Sequence, residues 1–206
     1  MYTEGISKIT VEDIRYASEL GFKIKHLGIT TKTDKGIGLR VHPTLIQKDK
    51  MLAQVNGVMN AVLVGSDAAG ETMYYGAGAG AGPTASSVIA DVIDVVRAGN
   101  AIPDMGFLQD ELLNSPVLAI EDVESAYYLR LSALDKPGVM AQISSILGRH
   151  NISIESLIQK DLHDGQVPVV IVTDSVIEKS MNAAIVELES LDQVEDSVTR
   201  IRVESF

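Results

Sequence analysis

The stretch LDKPGVMAQISSILGRHNISIESLIQK, residues 134–160, decides the fold of the second half of the chain. Asp135 is placed to cap a helix, Pro137 stiffens the entry to that helix, and Gly138 lets a ligand or another backbone come close. Residues 152–160, ISIESLIQK, are typical of a strand. Between the turn and this strand, Val139, Ile143, Ile146 and Leu147 recur at helical spacing, which predicts an amphipathic helix.

The same regularity continues on both sides of this stretch. AYYLRLSAL precedes it as a strand, and QVPVVIVTD follows as a strand after the predicted turn DLHDG at 161–165. A helix is predicted over 176–191 and a last strand over DSVTRIRVES. The order β-α-β-β-α-β is the ferredoxin-like pattern, with both helices on one face of a four-stranded sheet. We therefore expect another copy or a partner to cover the second face or an edge.

The first 99 residues predict a mixed α/β arrangement. Thr10 is placed to cap a helix over 11–20, and a strand pair is predicted in FKIKHLGITTKT and IGLRVHPTLI. A short helix near 48–55 and a second hairpin, VMNAVLVGSD with ETMYYGAG, precede a strongly apolar helix at 84–98. Residues 100–125 hold two prolines and many acids without a sustained period, so we interpret them as a linker.

Composition excludes several classes of partner and site. The net charge is −11 and no basic cluster interrupts it, so nucleic acid and anionic membranes are poor partners. No stretch is long and apolar enough to span a bilayer, no signal peptide is visible, and there is no cysteine. We therefore expect a cytoplasmic protein. The four histidines lack metal-ligand spacing, so no metal site is predicted.

The glycine-rich segment GAGAG at 76–80 raises the question of a nucleotide site. A self-contained dinucleotide fingerprint needs a strand, G-x-G-x-x-G, a helix and an acid at the end of a second strand. Here the predicted helix starts only after Pro83, and Asp104 lies in the predicted linker. The segment therefore fails as a complete Rossmann site and is better interpreted as part of a larger one.

Residues 126–206 closely resemble an ACT domain, through the turn DKPG and the later HNISI. ACT domains are small amino-acid-sensing modules that pair by sheet edges or faces, with the ligand at the pair interface. The resemblance implies an effector site that uses residues of both copies: Asp135, Lys136, Pro137, Gly138 and Val139 of one copy, opposite Asn151 and Ile152 of the other. The alternative is that the turn only caps a helix and this domain only dimerises.

Three segments of residues 2–98 resemble the later part of bacterial homoserine dehydrogenase: YTEGISKITVEDIRYASELGFKIKHLGI, HPTLIQKDKMLAQVNGVMNAVLVGSD and YYGAGAGAGPTASSVIADVIDVVR. That family reduces aspartate semialdehyde to homoserine with NADPH or NADH, on the route to threonine and methionine. The resemblance implies an α+β chain. A partial mixed α/β substrate and dimerisation domain at 1–99 and a linker at 100–125 precede the ferredoxin-like ACT domain at 126–206.

By the same resemblance, the glycine segment contributes half of a cofactor site. Gly80 is the best candidate for contacting the NADP or NAD of the full-length enzyme, with Gly78, Ala79 and Thr84 nearby. The alternative is a tight crossover in which small residues permit close packing and nothing binds. The Rossmann fingerprint and the family's catalytic lysine and acids have no match, so no catalytic residue is predicted. We interpret the sequence as a C-terminal fragment that is inactive alone and binds no cofactor.

Two hypotheses follow for the regulatory half. In the first, threonine binds between paired ACT domains and shifts the populations of active and less active dimers. In the second, the ACT domain is an assembly module that binds no amino acid. Both predict a homo-oligomer, at least a dimer.

Overall fold

The structure is a computed structural model that describes residues 1–99, 115–160 and 165–206. Its strands are β1 (Tyr2–Thr3), β2 (Phe22–Thr33), β3 (Gly36–Gln47), β4 (Met59–Ser66), β5 (Gly70–Ala77), β6 (Glu124–Leu134), β7 (Ile154–Gln159), β8 (Gln166–Thr173), β9 (Val176–Ile177) and β10 (Val194–Val203). Its helices are α1 (Val11–Glu19), α2 (Ala81–Ala98), α3 (Val139–Arg149) and α4 (Glu178–Glu189). Short 3₁₀ turns lie at Met51–Gln54 and Ile120–Asp122.

Strand order confirms the ferredoxin-like fold of the second half. β6, α3, β7, β8, α4 and β10 follow one another along the chain, and the strands lie in the order β10-β6-β8-β7 with antiparallel pairing throughout. Helices α3 and α4 bury one face of this sheet in a core that includes Leu129, Ile143, Ile171, Met181 and Leu188. The predicted helical spacing of Val139, Ile143, Ile146 and Leu147 is confirmed, since all four are buried.

The second face of the sheet is covered by the chain's own helix α1. Tyr16 and Ala17 of this helix pack with Leu45 of β3, Tyr128 of β6 and Ile201 of β10 in a second core. Our expectation that another copy or a partner covers this face is therefore corrected for the part beneath α1. The physical reason is that an amphipathic helix in the first 48 residues supplies the apolar area that the face needs.

One edge of the same sheet is also occupied by the first part of the chain. β10 pairs in parallel with β3, residues 202–203 against 44–45. One edge of β3 is fully occupied by β2, which pairs along its whole length. The other edge is therefore shared by β10 and by β1, which pairs with residues 40–41. At the opposite edge, β7 pairs with β8 and with no other strand of the described chain.

The chain forms two compact units. The first holds residues 1–48 together with the described residues from 115 onward. The second holds residues 49–99 of the described chain, which form the β4–β5 hairpin and α2. The division predicted from sequence, at 99 and 126, stays a prediction. Residues 100–114 of the predicted linker and residues 161–164 of the predicted DLHDG turn lie outside the described residues.

Local predictions differ from the structure at four places. Residues 176 and 177, predicted as the start of a helix, form β9, and α4 begins at Glu178. Helix α2 begins at Ala81, so Pro83 lies in its first turn, where a missing N–H is tolerated. The short helix near 48–55 is a single 3₁₀ turn. Asp135 does not cap α3: the cap position is Gly138, with φ 91°, and no side chain bonds to the helix start. By contrast, the Thr10 cap of α1 is confirmed.

Candidate functional site

The glycine turn between β5 and α2 brings the four predicted cofactor residues together. Gly80 caps the helix with φ 108°, a left-handed value that disfavours other residues. The N–H groups of Gly78 and Ala79 donate to the carbonyl of Val58 at 3.2 and 3.3 Å. The Thr84 N–H donates to the Gly80 carbonyl at 3.2 Å, and its hydroxyl reaches the Gly78 carbonyl at 3.5 Å. Hydrogen bonds to Val58 and from Thr84 therefore define the shape of the turn.

Close packing explains one of the alternating glycines. A Cβ added to Gly78 would lie 2.2 Å from the Asn60 side-chain nitrogen and 2.8 Å from its Cγ. Asn60 is itself hydrogen-bonded to the Val58 carbonyl. Contact with Asn60 is therefore one reason for glycine at position 78.

An open concavity of about 510 Å³ lies beside the turn. Gly80, Ala81, Thr84, Ala85, Val88 and Ile89 line it. Since the first N–H groups of a helix lack partners within that helix, the start of α2 adds backbone donors to a mostly apolar surface.

Helix α2 has no buried residue, although its sequence is strongly apolar. The six β-branched side chains of its apolar stripe are between 42% and 74% exposed: Val88, Ile89, Val92, Ile93, Val95 and Val96. Contiguous apolar area of this kind marks a surface that packs against another body. The sequence prediction that this helix contacts more than one neighbour is therefore compatible with its exposure.

The predicted effector turn lies between β6 and α3. Asp135, Lys136 and Pro137 are exposed, while Val139 is buried in the core. The Lys136 N–H donates to the Leu134 carbonyl at 2.9 Å, and the Val139 N–H donates to the Lys136 carbonyl at 3.3 Å. Gly138 has open space where a Cβ would lie, so its φ of 91°, and not crowding, calls for glycine.

The other two predicted effector residues lie at the opposite end of α3. Asn151 is exposed with φ 56°, and Ile152 is buried. α3 has 11 residues, which corresponds to about 16 Å between its ends. One chain therefore does not bring the turn and Asn151 together, and a site built from both groups requires two copies.

Sequence reasoning missed a buried ion pair between α1 and β6. Asp13 is fully buried, and its Oδ1 accepts from Arg130 Nε at 2.6 Å and from the Tyr128 hydroxyl at 3.2 Å. Burial disfavours its charged form, but hydrogen bonds from Arg130 and Thr10 outweigh burial and lower the pKa of Asp13. Asp13 also closes a capping box with Thr10. The available signal was Arg130, which stands between two leucines in a mostly apolar strand.

A second buried cluster surrounds Arg202 on β10. Its Nε donates to Glu178 at 2.8 Å, its Nη2 also bonds to Glu178, and its Nη1 donates to Glu4 at 2.9 Å. The Tyr127 hydroxyl donates to Glu178 at 3.1 Å. Burial alone would lower the pKa of Arg202, but Glu178 and Glu4 raise it. The cluster joins the residue after β1 to β6, α4 and β10.

Two negative findings apply to the described residues alone. Residues 1–99, 115–160 and 165–206 contain no group of three histidine or acidic side chains that could hold a metal ion. In the same ranges, no helix has the length and apolarity needed to cross a membrane.

Comparisons with known proteins match both halves. A family model described as homoserine dehydrogenase matches residues 1–93, and one described as ACT domain matches residues 127–193. A homoserine dehydrogenase of Pseudomonas aeruginosa is 55% identical over 100% of the chain and 49% of its own length. One of Neisseria gonorrhoeae is 50% identical over 100% of the chain and 48% of its own length. The chain thus spans about half the length of these curated relatives.

Solved structures agree with the sequence matches. The crystal structure of a homoserine dehydrogenase from Thiobacillus denitrificans superimposes with a TM-score of 0.88 at 50% identity, covering 98% of the chain and 47% of that protein. A homoserine dehydrogenase from Staphylococcus aureus superimposes with a TM-score of 0.63 at 28% identity, again over 98% of the chain and 47% of that protein.

Proposed function

The chain belongs to the homoserine dehydrogenase family, and from that premise we propose that it forms the C-terminal part of an NAD(P)H-dependent enzyme that reduces aspartate semialdehyde to homoserine. The observation that carries the proposal is the continuous match of the chain with its relatives, with an ACT domain following the dehydrogenase segment. The product would serve threonine and methionine biosynthesis, and the enzyme would be cytoplasmic.

In this proposal the glycine turn is one wall of the cofactor site. Gly80 and the start of α2 contact the cofactor through backbone N–H groups, and Thr84 adds a hydroxyl. Gly78 and Ala79 shape the turn, because their N–H groups donate to the Val58 carbonyl. A nicotinamide cofactor bound there would supply the hydride. The chain's contribution is to position the turn and, with the apolar stripe of α2, to pack against the nucleotide domain and exclude water.

A chimera tests the dehydrogenase proposal. The upstream half of the Pseudomonas aeruginosa relative, fused before residue 1, is expected to oxidise homoserine with NADP or NAD, while the 206-residue chain alone shows no turnover. The upstream half alone is the matched control. A folded chimera that binds the cofactor but turns over no substrate would contradict the proposal.

A pair of variants in that chimera tests the glycine turn. Gly80→Val introduces a side chain at φ 108° beside the concavity, so we expect the KM for the cofactor to rise more than the KM for homoserine. Gly65→Ala on β4, at a position with open space and no positive φ, is the control and leaves both values unchanged. Equal effects of Gly80→Val on both KM values would favour the packing alternative.

For the ACT domain we propose amino-acid sensing, with threonine as the effector, in a homo-oligomer. Support comes from the ACT match and from the exposed β6–α3 turn. Calorimetry of the chain with threonine and a panel of other amino acids tests this role. Binding of none of them would favour the alternative, an assembly module without an effector.

A further inference from the structure

An asparagine–glycine pair lies in the turn that leads into β4. Asn56 and Gly57 are both exposed, and Gly57 has φ 65°, a left-handed value. Apart from its chain neighbours, no heavy atom lies within 4 Å of the position that a Cβ of Gly57 would occupy. The other asparagines of the sequence precede alanine, serine or isoleucine, so Asn56 is the one asparagine with a glycine after it.

The side chain of Asn56 and the backbone nitrogen of Gly57 are able to react with each other. The Gly57 nitrogen attacks the side-chain carbonyl carbon of Asn56, which closes a succinimide ring, and the bond from that carbon to the side-chain nitrogen breaks. The Gly57 N–H proton leaves with this nitrogen as ammonia. Water then opens the ring at either carbonyl and gives aspartate or isoaspartate, so the reaction consumes only water. Glycine favours the attack, because it has no Cβ to hinder its nitrogen and adopts a wide range of backbone conformations.

Surface hydrogen bonds hold the ground-state conformation of Asn56. Its carbonyl accepts from the Met59 N–H at 3.3 Å, and its Nδ2 donates to the Gln54 carbonyl at 2.8 Å. Asn56 and Gln54 are both exposed. Because exposed turns open locally at little cost in free energy, the pair reaches conformations in which the Gly57 nitrogen approaches the side chain of Asn56.

The carbonyl that holds the glycine turn lies two residues after Asn56. This carbonyl, of Val58, accepts from the N–H groups of Gly78 and Ala79 at 3.2 and 3.3 Å. The side-chain nitrogen of Asn60 donates to the same oxygen at 3.4 Å. The position of one carbonyl oxygen therefore sets where the turn before α2 begins.

Isoaspartate at position 56 changes the path of the chain toward this carbonyl. In isoaspartate the main chain runs through the side-chain carbons, so one extra backbone atom stands before Gly57, and a free carboxylate adds a negative charge. The Met59 N–H then loses its geometry with the carbonyl of residue 56, and Val58 shifts with the turn. We therefore expect longer hydrogen bonds from Gly78 and Ala79.

We infer that Asn56–Gly57 is a site of spontaneous deamidation, and that isoaspartate at position 56 weakens the hydrogen bonds between Val58 and the glycine turn. All the residues involved belong to the unit that holds the β4–β5 hairpin and α2. The chemistry needs neither a cofactor nor the upstream half of the enzyme. For the proposed cofactor site, the consequence is a wall that loosens as the protein ages, and this consequence alone rests on the proposed function.

Peptide mapping by mass spectrometry tests the modification site. The 206-residue chain is incubated in warm, mildly alkaline buffer, and the tryptic peptide 51–97, which contains Asn56 and Asn60, is fragmented to locate each acid formed. Asn60 is the internal control, since it is also exposed but precedes alanine. Deamidation at Asn56 is expected to be at least about tenfold faster than at Asn60, with isoaspartate among the products. Equal rates at the two positions would overturn the assignment of the site.

Amide hydrogen exchange tests the effect on the glycine turn. The isoaspartate form is separated from the fresh chain by its extra charge, and exchange at Gly78 and Ala79 is expected to be at least about threefold faster in it. Asn56→Gln, which closes such a ring far more slowly, is the matched variant and keeps the exchange of the fresh chain after the same incubation. The amides of β6, in the other compact unit, are the internal reference. Unchanged exchange at Gly78 and Ala79 in the isoaspartate form, or equal acceleration in incubated Asn56→Gln, would overturn the link to the turn.

Discussion

Arg130 on β6 donates two hydrogen bonds to Asp13 on α1, from Nε to Oδ1 at 2.6 Å and from Nη2 to Oδ2 at 3.2 Å. The two residues are 117 positions apart in the sequence. Asp13 is fully buried and also closes the capping box of its helix. Asp13 therefore both attaches α1 to the sheet, through Arg130, and stabilises the first turn of α1, through Thr10. It makes the first part of the chain a structural component of the ACT sheet.

Asp13→Asn is expected to lower the free energy of unfolding by about 3–5 kcal/mol, because it leaves Arg130 without its counter-charge in a mostly buried site. Denaturant titration measures the change. Glu12→Gln, an exposed neighbour on the same helix turn, is the control and changes stability by less than about 0.5 kcal/mol. A loss below about 1 kcal/mol for Asp13→Asn would show that the pair is screened by water.

Acid is expected to destabilise the chain partly through Asp13. Since the pKa of Asp13 is lowered by folding, its contribution is complete above the ordinary carboxyl pKa and is lost as pH falls toward the folded pKa. The free energy of unfolding, measured from pH 6 downward, is expected to fall less steeply in Asp13→Asn than in the parent chain. Parallel curves would contradict this linkage.

His42 is expected to make stability depend on pH nearer neutrality. Burial lowers the pKa of this fully buried histidine, so the unfolded chain binds a proton that the folded chain does not. Stability is therefore complete above the ordinary histidine pKa of about 6.5 and falls as pH drops below it. His42→Asn is expected to flatten unfolding free energies between pH 7 and pH 5. An unchanged slope would refute the assignment.

Tyr16→Ala is expected to loosen α1 from the sheet and to lower the free energy of unfolding by about 3 kcal/mol, since Tyr16 lies 3% exposed in the second core. Amide hydrogen exchange is expected to rise first in α1. Val11→Ala, at a position 81% exposed on the same helix, is the control. Protection of α1 that survives Tyr16→Ala would mean that other contacts hold the helix.

Gly138→Ala and Gly148→Ala are expected to act in opposite directions. Alanine at φ 91° is strained, so the first change costs about 1–2 kcal/mol. Gly148 lies inside α3 with open space and no positive φ, so alanine there stabilises by about 0.5–1 kcal/mol. Thermal unfolding distinguishes the two, and destabilisation by both would indicate crowding in place of backbone strain.

The ferredoxin-like order and the Thr10 cap followed from sequence because they depend on local signals. Apolar periodicity distinguishes α3 from its flanking strands, and Gly138 marks the turn between β6 and α3. The glycine turn leads into α2 as expected, but the helix begins at Ala81 and not after Pro83. Asp135 was wrongly predicted to cap α3, because the left-handed backbone of Gly138 moves the helix start away from it.

Sequence alone determined most of the helices and strands, because each follows from the spacing of neighbouring residues. It missed the two-residue strands β1 and β9. Only the tertiary structure decided what covers the ACT sheet and which charges pair. Asp13 finds Arg130 across 117 residues and Arg202 finds Glu178 across 24, and a single sequence carries no record of such distant partners. The apolar residues on one face of a sheet indicate that this face must be buried. Whether a helix of the same chain or another molecule buries it depends on the path of the chain through space.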